Sequence, residues 1–358
     1  MKILIAYLKK ETVLCIAVLL AAFSMLLIHP DSKYSGYMDY RTLALLFSLM
    51  TIMEGFKQTG FFADVARALL GRVHTFRQLY LVLVMLCFFC SMWITNDVAL
   101  LTFVPFTILV LELSGLQKEM ISVIVMQTIA ANLGSMMTPV GNPQNLYLYS
   151  VSGMGIGEFF SVMGPLSALS FLLILGACIF HKNFALDPEL LKHMEPSGEA
   201  AGKSSKTAEA ASGNAVPKRL RNLQNLLLAT LFLFSLLSVF RVISWPVLVV
   251  VVLLAGVFHS SFLPKKVDYS LLLTFIAFFV FIGNMKRIDL IREFLNQTLH
   301  GRELLLSFGC SQIISNVPAA ILLSGFTDQY AALLRGVNIG GLGTLIASLA
   351  SLISYKFF

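Results

Sequence analysis

Long apolar runs separated by short polar or basic stretches recur along nearly the whole chain. Taken as helices, they give candidate spans at 11–28, 40–56, 118–151, 158–180, 222–240, 245–262, 269–285 and 329–357. Each is long enough, or nearly so, for a hydrocarbon core roughly 30 Å thick. Two further apolar segments, 76–113 and 302–325, carry polar residues at their middles and read as helical hairpins that dip in and return to the same side. These polar interruptions come in matched pairs. ANLGSMMTPVGNPQN at 131–145 aligns with VNIGGLGTLIASLAS at 337–351, so that Asn132 meets Asn338, Gly134 meets Gly340, Thr138 meets Thr344, Gly141 meets Ala347 and Asn142 meets Ser348. Upstream, SMWITND at 91–97 aligns with SQIISNV at 311–317: Ser91 with Ser311, Thr95 with Ser315, Asn96 with Asn316. Hydrocarbon tolerates such polar backbone only where it is buried in protein or lines a cavity. Duplicated, interrupted helices are the sequence pattern of a transporter's midplane site.

The basic residues orient the spans. Lys2, Lys9 and Lys10 put the N-terminus in the cytoplasm; Lys57, Arg67, Arg72 and Arg77, the stretch from Lys182 to Arg221, Lys265 and Lys266, and Lys356 also fall inside. One loop runs against this rule. Residues 285–302 lie outside yet carry Lys286, Arg287, Arg292 and Arg302 beside Asp289, Glu293 and Glu303. With this topology the first hairpin opens to the cytoplasm and the second to the outside, so the two repeats are inverted. EGFKQTGFF at 54–62 and GNMKRIDLI at 283–291 each end a span and begin an amphipathic segment; Phe61, Val65, Ala68 and Leu69 form the apolar face of a helix lying flat at the interface. Residues 181–221 are rich in Ser, Ala, Gly, Lys and Glu and read as a flexible cytosolic linker. The chain thus divides into a first membrane half (1–180), the linker, and a second membrane half (222–358).

Composition narrows the class. Of 358 residues 57% are hydrophobic and 13% charged, about half the charged share of a soluble domain, and the mean hydropathy is +0.82. The expected fold is an all-α, polytopic integral membrane protein with both termini cytoplasmic, lying in the bacterial inner membrane. The net charge of +7 orients spans and gives no nucleic-acid partner. Residues 1–28 have a basic start but no small-residue cleavage site before His29, and read as a retained first helix. Cys87 and Cys90 are one helical turn apart inside an apolar run and read as small apolar residues. No HExxH, P-loop or GxSxG pattern occurs, and no nucleophile–base pair or metal ligand set falls at membrane depth, so an enzyme is not expected. Two opposed hairpins disfavour a passive channel.

Ser91 and Thr95 stack their hydroxyls on one helix face, with Asn96 following at the tip. Hydroxyls, an amide oxygen and freed carbonyls make an uncharged oxygen set suited to an alkali cation. Either triplet alone reads as hydroxyls satisfying their own helix; its repetition at Ser311, Ser315 and Asn316 reverses that reading. Helix N-termini at the breaks favour an anion, and the nearest cation is Arg335. A small anionic substrate is therefore expected at Asn96, Asp97, Thr138, Asn142, Asn316 and Thr344, held by dipoles, amides and a co-bound cation. Asp97 reads either as a functional carboxylate, charge-neutralising or proton-carrying, or as an N-cap of the helix that follows. Gly141-Asn142-Pro143 must unwind the 118–151 span.

At ITNDVALLTFVPF, NLGSMMTPVGNPQN, SNVPAAIL and GGLGTLIASLAS the chain resembles the ion transporter superfamily. That clan includes divalent-anion:sodium symporters, citrate transporter-like permeases, arsenite permeases and one type of sodium/proton antiporter. The resemblance implies that Thr95-Asn96 and Ser315-Asn316 are the two hairpin tips. It also implies that Ser91 with Gly141, and Ser311 with Ala347, complete two sodium sites. It further implies a homodimer, an elevator motion, and no cofactor beyond the coupling ion, Na+ or H+. Asp97 and Val317 stand where the dicarboxylate branch has Thr, and Asn-Asp at the first tip is closer to the arsenite permeases. The span at 158–180 has no counterpart after the second repeat, so a short family member is expected. The leading expectation is a sodium-coupled carrier of citrate or another di- or tricarboxylate, with a cation/proton antiporter or metalloid efflux permease as the alternative.

Overall fold

The computed structural model describes residues 11–70, 73–186, 218–258, 267–355 and 357. Lys2, Lys9, Lys10, Arg72, Lys265, Lys266, Lys356 and most of the 181–221 linker lie outside the described residues. Those described are all-helical; the one bridge of extended type joins Thr75 and Ala185. Helices α1 (Thr12–Leu27) and α2 (Tyr40–Thr59) lead to the amphipathic α3 (Phe61–Leu70). Then come α4 (Phe76–Ile94), α5 (Asn96–Leu113), α6 (Met120–Ser135), α7 (Pro143–Ser152) and α8 (Ile156–Ile179). After the linker follow α9 (Lys218–Val239), α10 (Trp245–Phe258), α11 (Tyr269–Met285) and the amphipathic α12 (Asp289–Leu299). The chain continues through α13 (Glu303–Ile314), α14 (Asn316–Ser324), α15 (Tyr330–Gly340) and α16 (Leu349–Tyr355).

Local chemistry sets the boundaries. Asp39 caps α2 by accepting from Thr42 N, and Gly60 ends it in the left-handed region at φ 73°. Thr75 and Gln78 close a capping box on α4. Asn142 accepts from Asn145 N and Pro143 takes the first position of α7, where its missing N–H costs nothing. The predicted spans at 118–151 and 329–357 are therefore each two helices, α6 with α7 and α15 with α16.

Among the described residues four helices, Phe76–Ile94, Asn96–Leu113, Ile156–Ile179 and Leu220–Val239, are long and apolar enough to cross a membrane. Helices α11 and α12 together pass the same test but bend by 103° at their junction. The two hairpins differ in arm length. The arms α4 and α5 have 19 and 18 residues, about 28 Å at 1.5 Å per residue, so each could cross a bilayer. The arms α13 and α14 have 12 and 9 residues, too short for either to cross a hydrocarbon core of roughly 30 Å. The apolar face expected at the interface is mostly exposed on α3, and the opposite side packs on protein. Phe62 and Ala66 are its buried residues, whereas Phe61, Ala68 and Leu69 are exposed and Val65 is half-buried. Phe62 sets its ring edge-on to Phe103 of α5, 6.3 Å between centroids, which draws that side of α3 toward protein.

The packing is reciprocal between the halves. Helix α4 lies along α6, and α13 along α15. The second helix of each broken pair crosses to the other half: α7 packs on α14, and α16 on α5. Around these, α1 packs on α11, and α2 on α9 and α10.

Candidate functional site

Each hairpin turns at one residue. Thr95 has φ 69° and ψ 149°, and Ser315 has φ 76° and ψ 157°. This region is almost reserved for glycine and costs on the order of 1–3 kcal/mol for other residues. The next residue restarts a helix and sends its backbone N–H across to an unwound segment. Asn96 N donates to Gly141 O at 3.2 Å, and Asn316 N donates to Ala347 O at 3.0 Å. Both asparagines also accept from the following backbone amide, Asn96 Oδ1 from Asp97 N and Asn316 Oδ1 from Val317 N. Alignment of the two repeats paired Gly141 with Ala347, and the structure gives both carbonyls the same partner.

The unwound segments are tied to the hairpins by their threonines. The Thr138 hydroxyl donates to Met92 O, and the Thr344 hydroxyl donates to Gln312 O at 2.8 Å. These hydroxyls, expected on the substrate, thus occupy carbonyls that the helix ends leave free. Ser91 and Ser311 are fully buried and donate to their own helices, at Phe88 O and Ser307 O. Their second role is steric. A Cβ on Gly134 would stand 2.0 Å from Phe88 O and 2.6 Å from Ser91 Oγ; one on Gly340 would stand 2.6 Å from Ser311 Cβ. Small residues here let α6 and α15 touch α4 and α13. The Thr95 hydroxyl forms no hydrogen bond among the described residues, while Ser315 Oγ donates to Ala347 O at 3.3 Å.

A buried amide network joins the two halves. Asn96 Nδ2 and Ser348 Oγ both donate to Asn132 Oδ1, at 3.0 and 2.9 Å. Asn142 Nδ2 donates to Asn338 Oδ1 at 3.2 Å, and Asn338 Nδ2 donates to Asn145 Oδ1 at 2.7 Å. The cross-half pairs Asn132–Ser348 and Asn142–Asn338 are the same pair exchanged between repeats. Asn132, Asn145, Asn338 and Ser348 were not among the expected site residues. Their signal was present, since Asn132 and Asn338 are identical in the two copies. Asn316 Nδ2 lies against the second unwound segment, 3.1 Å from where a Cβ on Gly341 would be.

Asp97 is not the N-cap of α5. Thr95 holds that position, and Asp97 lies in the first turn. Its Oδ1 is buried and has no hydrogen-bond partner among the described residues. No group of three or more His, Cys, Asp or Glu there could hold a metal ion.

The two unwound segments differ in their cover. Met136, Thr138 and Val140 are 0%, 4% and 3% exposed, but Leu342, Leu345 and Ile346 are 36%, 49% and 63% exposed. Met136 and Val140 share a buried cluster with Phe159, Val162 and Met163 of α8.

Residues 3–352 match the citrate transporter (CitMHS) family. An uncharacterized transporter of Methanocaldococcus jannaschii is 30% identical over 322 residues, covering 89% of this chain and 81% of its own length. The inner membrane protein YbiR of Escherichia coli is 29% identical over 327 residues, covering 90% and 81%. The human P protein matches over a shorter stretch, 32% identical over 121 residues, or 32% of this chain and 14% of its own. The family match, the repeated apolar helices and the paired helix breaks agree: the chain belongs to the citrate transporter (CitMHS) family, as a multi-pass membrane transporter and not an enzyme.

Proposed function

We propose that the chain is a secondary active transporter that carries a small anion across the inner membrane, with citrate or another di- or tricarboxylate as the first substrate to try. Coupling is to Na+, with H+ second. The observation that carries this reading is the repeated pair of contacts, Asn96 N on Gly141 O and Asn316 N on Ala347 O, each behind a strained tip residue. Two equivalent polar turns against two unwound segments are the arrangement expected of inverted repeats around a midplane site. In this reading the termini are cytoplasmic and hairpin 76–113 opens inward while hairpin 302–325 opens outward. Cation sites lie at Ser91, Thr95, Asn96 and Gly141, and at Ser311, Ser315, Asn316 and Ala347. The anion sits among Asn96, Asp97, Asn142 and Asn316, with Thr138 and Thr344 shaping the segments behind it. A homodimer moving as an elevator is the mechanism that fits this family resemblance.

The test is uptake of labelled citrate and succinate into proteoliposomes under a sodium gradient and, separately, a pH gradient. Sodium-driven uptake is expected. The second reading, a cation/proton antiporter or metalloid efflux permease, is favoured by one observation, the unpartnered Asp97 Oδ1. It requires proton movement on adding sodium or arsenite, no dicarboxylate uptake, and complete loss in Asp97→Asn.

A further inference from the structure

Away from the hairpin tips, a cavity of about 300 Å³ lies between the ends of α11 and α14, lined by Tyr37, Tyr147, Gly283, Lys286, Arg287 and Gly325 among others. Its walls come from α11 and the turn after α1 on one side and from α7 and α14 on the other. Helix α11 is held to α1 and its following turn, where Asn284 Nδ2 donates to Ser24 Oγ and Tyr34 OH. Tyr147 of α7 and Ile321 and Gly325 of the second hairpin line the other side, and the Tyr147 hydroxyl lies 2.9 Å from that of Ser324. The cavity therefore lies between α11 and the second hairpin.

Its two cations differ. Arg287 is engaged, donating from Nη1 to Asp31 Oδ2 at 2.9 Å and to Tyr37 OH at 3.1 Å. Lys286 makes no hydrogen bond or ion pair among the described residues, and Asp328 is the acid whose charge reaches it. Its stem crosses the end of α14, since a Cβ on Gly325 would stand 3.0 Å from Lys286 Cε and 2.7 Å from Ile282 Cγ2. Both cations come from the 285–302 loop, the one that defies the charge rule for topology. Arg292 of that loop is neutralised by Asp289 at 2.7 Å. Exposed Lys286 thus keeps a free positive charge beside a cleft with apolar walls, where field lines concentrate.

We infer that this cavity is the outer entry vestibule for the transported anion, and that Lys286 draws carboxylates into it before they reach the hairpin tips. The inference rests on the anion reading above. A lysine that merely completes the C-terminal dipole of α14 would affect folding, not the approach of substrate.

The experiment compares Lys286→Ala, Lys286→Arg and the control Arg292→Gln in phosphatidylcholine proteoliposomes, reading citrate uptake at low and high ionic strength. Lys286→Ala is expected to raise KM on the order of tenfold at low salt with kcat unchanged, and the difference should shrink as salt screens it. Lys286→Arg and Arg292→Gln should behave as wild type. An unchanged KM, or a loss confined to kcat or to folded yield, overturns the vestibule. So does its suppression in wild type by added phosphatidylglycerol, which would make a lipid headgroup the occupant. A second measurement needs no transport: citrate should slow acylation of Lys286 by a water-soluble amine reagent, read by peptide mass spectrometry. Protection without uptake would defeat the transport reading alone, and no protection would defeat the vestibule alone.

Discussion

Thr95 and Ser315 hold glycine-like backbone angles with side chains attached, and the chain has kept a hydroxyl at both. Glycine would relieve the strain, so Thr95→Gly and Ser315→Gly should each raise the unfolding midpoint in detergent, by about 1 kcal/mol of stability. Both should weaken the dependence of uptake on sodium if the hydroxyls are cation ligands. Stability and affinity moving together, in either direction, would refute that assignment. Asn96→Ala and Asn316→Ala remove amides that bond the following backbone N–H, at a cost of about 1–3 kcal/mol each. Transport should vanish while gel filtration still shows a folded protein. Asp97→Asn separates the two coupling modes. Sodium-driven citrate uptake should persist with a changed KM, since Asp97 borders the anion, whereas proton exchange should be lost.

At the scale of helices, close approach is set by glycine and serine on facing surfaces. Gly134 meets Phe88 and Ser91, Gly340 meets Ser311, and Gly336 meets Ser307. With lipid as solvent there is little hydrophobic drive between helices, so packing at such small-residue contacts carries the association. Gly134→Ala must push α6 off α4 and should cost about 1–3 kcal/mol or more, seen as a lower unfolding midpoint and lost uptake. Gly157→Ala in α8 meets nothing within 4 Å and should instead be neutral or stabilising, as Ala usually is over Gly in a helix. Unequal hairpin arms belong to this scale too. The long α4 and α5 leave their tip far from their own entry side, whereas α13 and α14 turn after only a few helical turns.

Across the whole molecule, the two halves are joined by exchanged contacts. Asn142 and Asn338 are 196 residues apart in sequence, and Asn132 and Ser348 are 216 apart. Each pair ties an unwound segment to the first helix of the other repeat's broken pair. A double-mutant cycle on Asn142 and Asn338 should return a coupling of about 0.6 kcal/mol, and no more than about 1.7, the range for hydrogen bonds between membrane helices. The Asn132–Ser348 cycle should give a similar value. A coupling in one pair and none in the other would mean that the halves do not share the site equally.

The sequence by itself determined the helices and where they fail. Apolar runs, capping residues, Pro143 and the duplicated tips are local signals, and they located the breaks at Thr95, Ser315 and the Gly141-Asn142-Pro143 turn. It also located the matched residues, because a repeat is visible without coordinates. Only the tertiary structure decided which groups those residues meet. An amide at a helix break needs a partner, but the partner is whichever helix the fold brings there from the distant half. Hence Asn132 and Asn338 emerged as the links between repeats and Thr138 and Thr344 as props for free carbonyls. For the same reason Asp97 turned out to be no cap, and Phe62 and Ala66 became the protein-facing side of α3. Hydrophobicity is written along the chain; the pairing of polar groups exists only between helices once they have met.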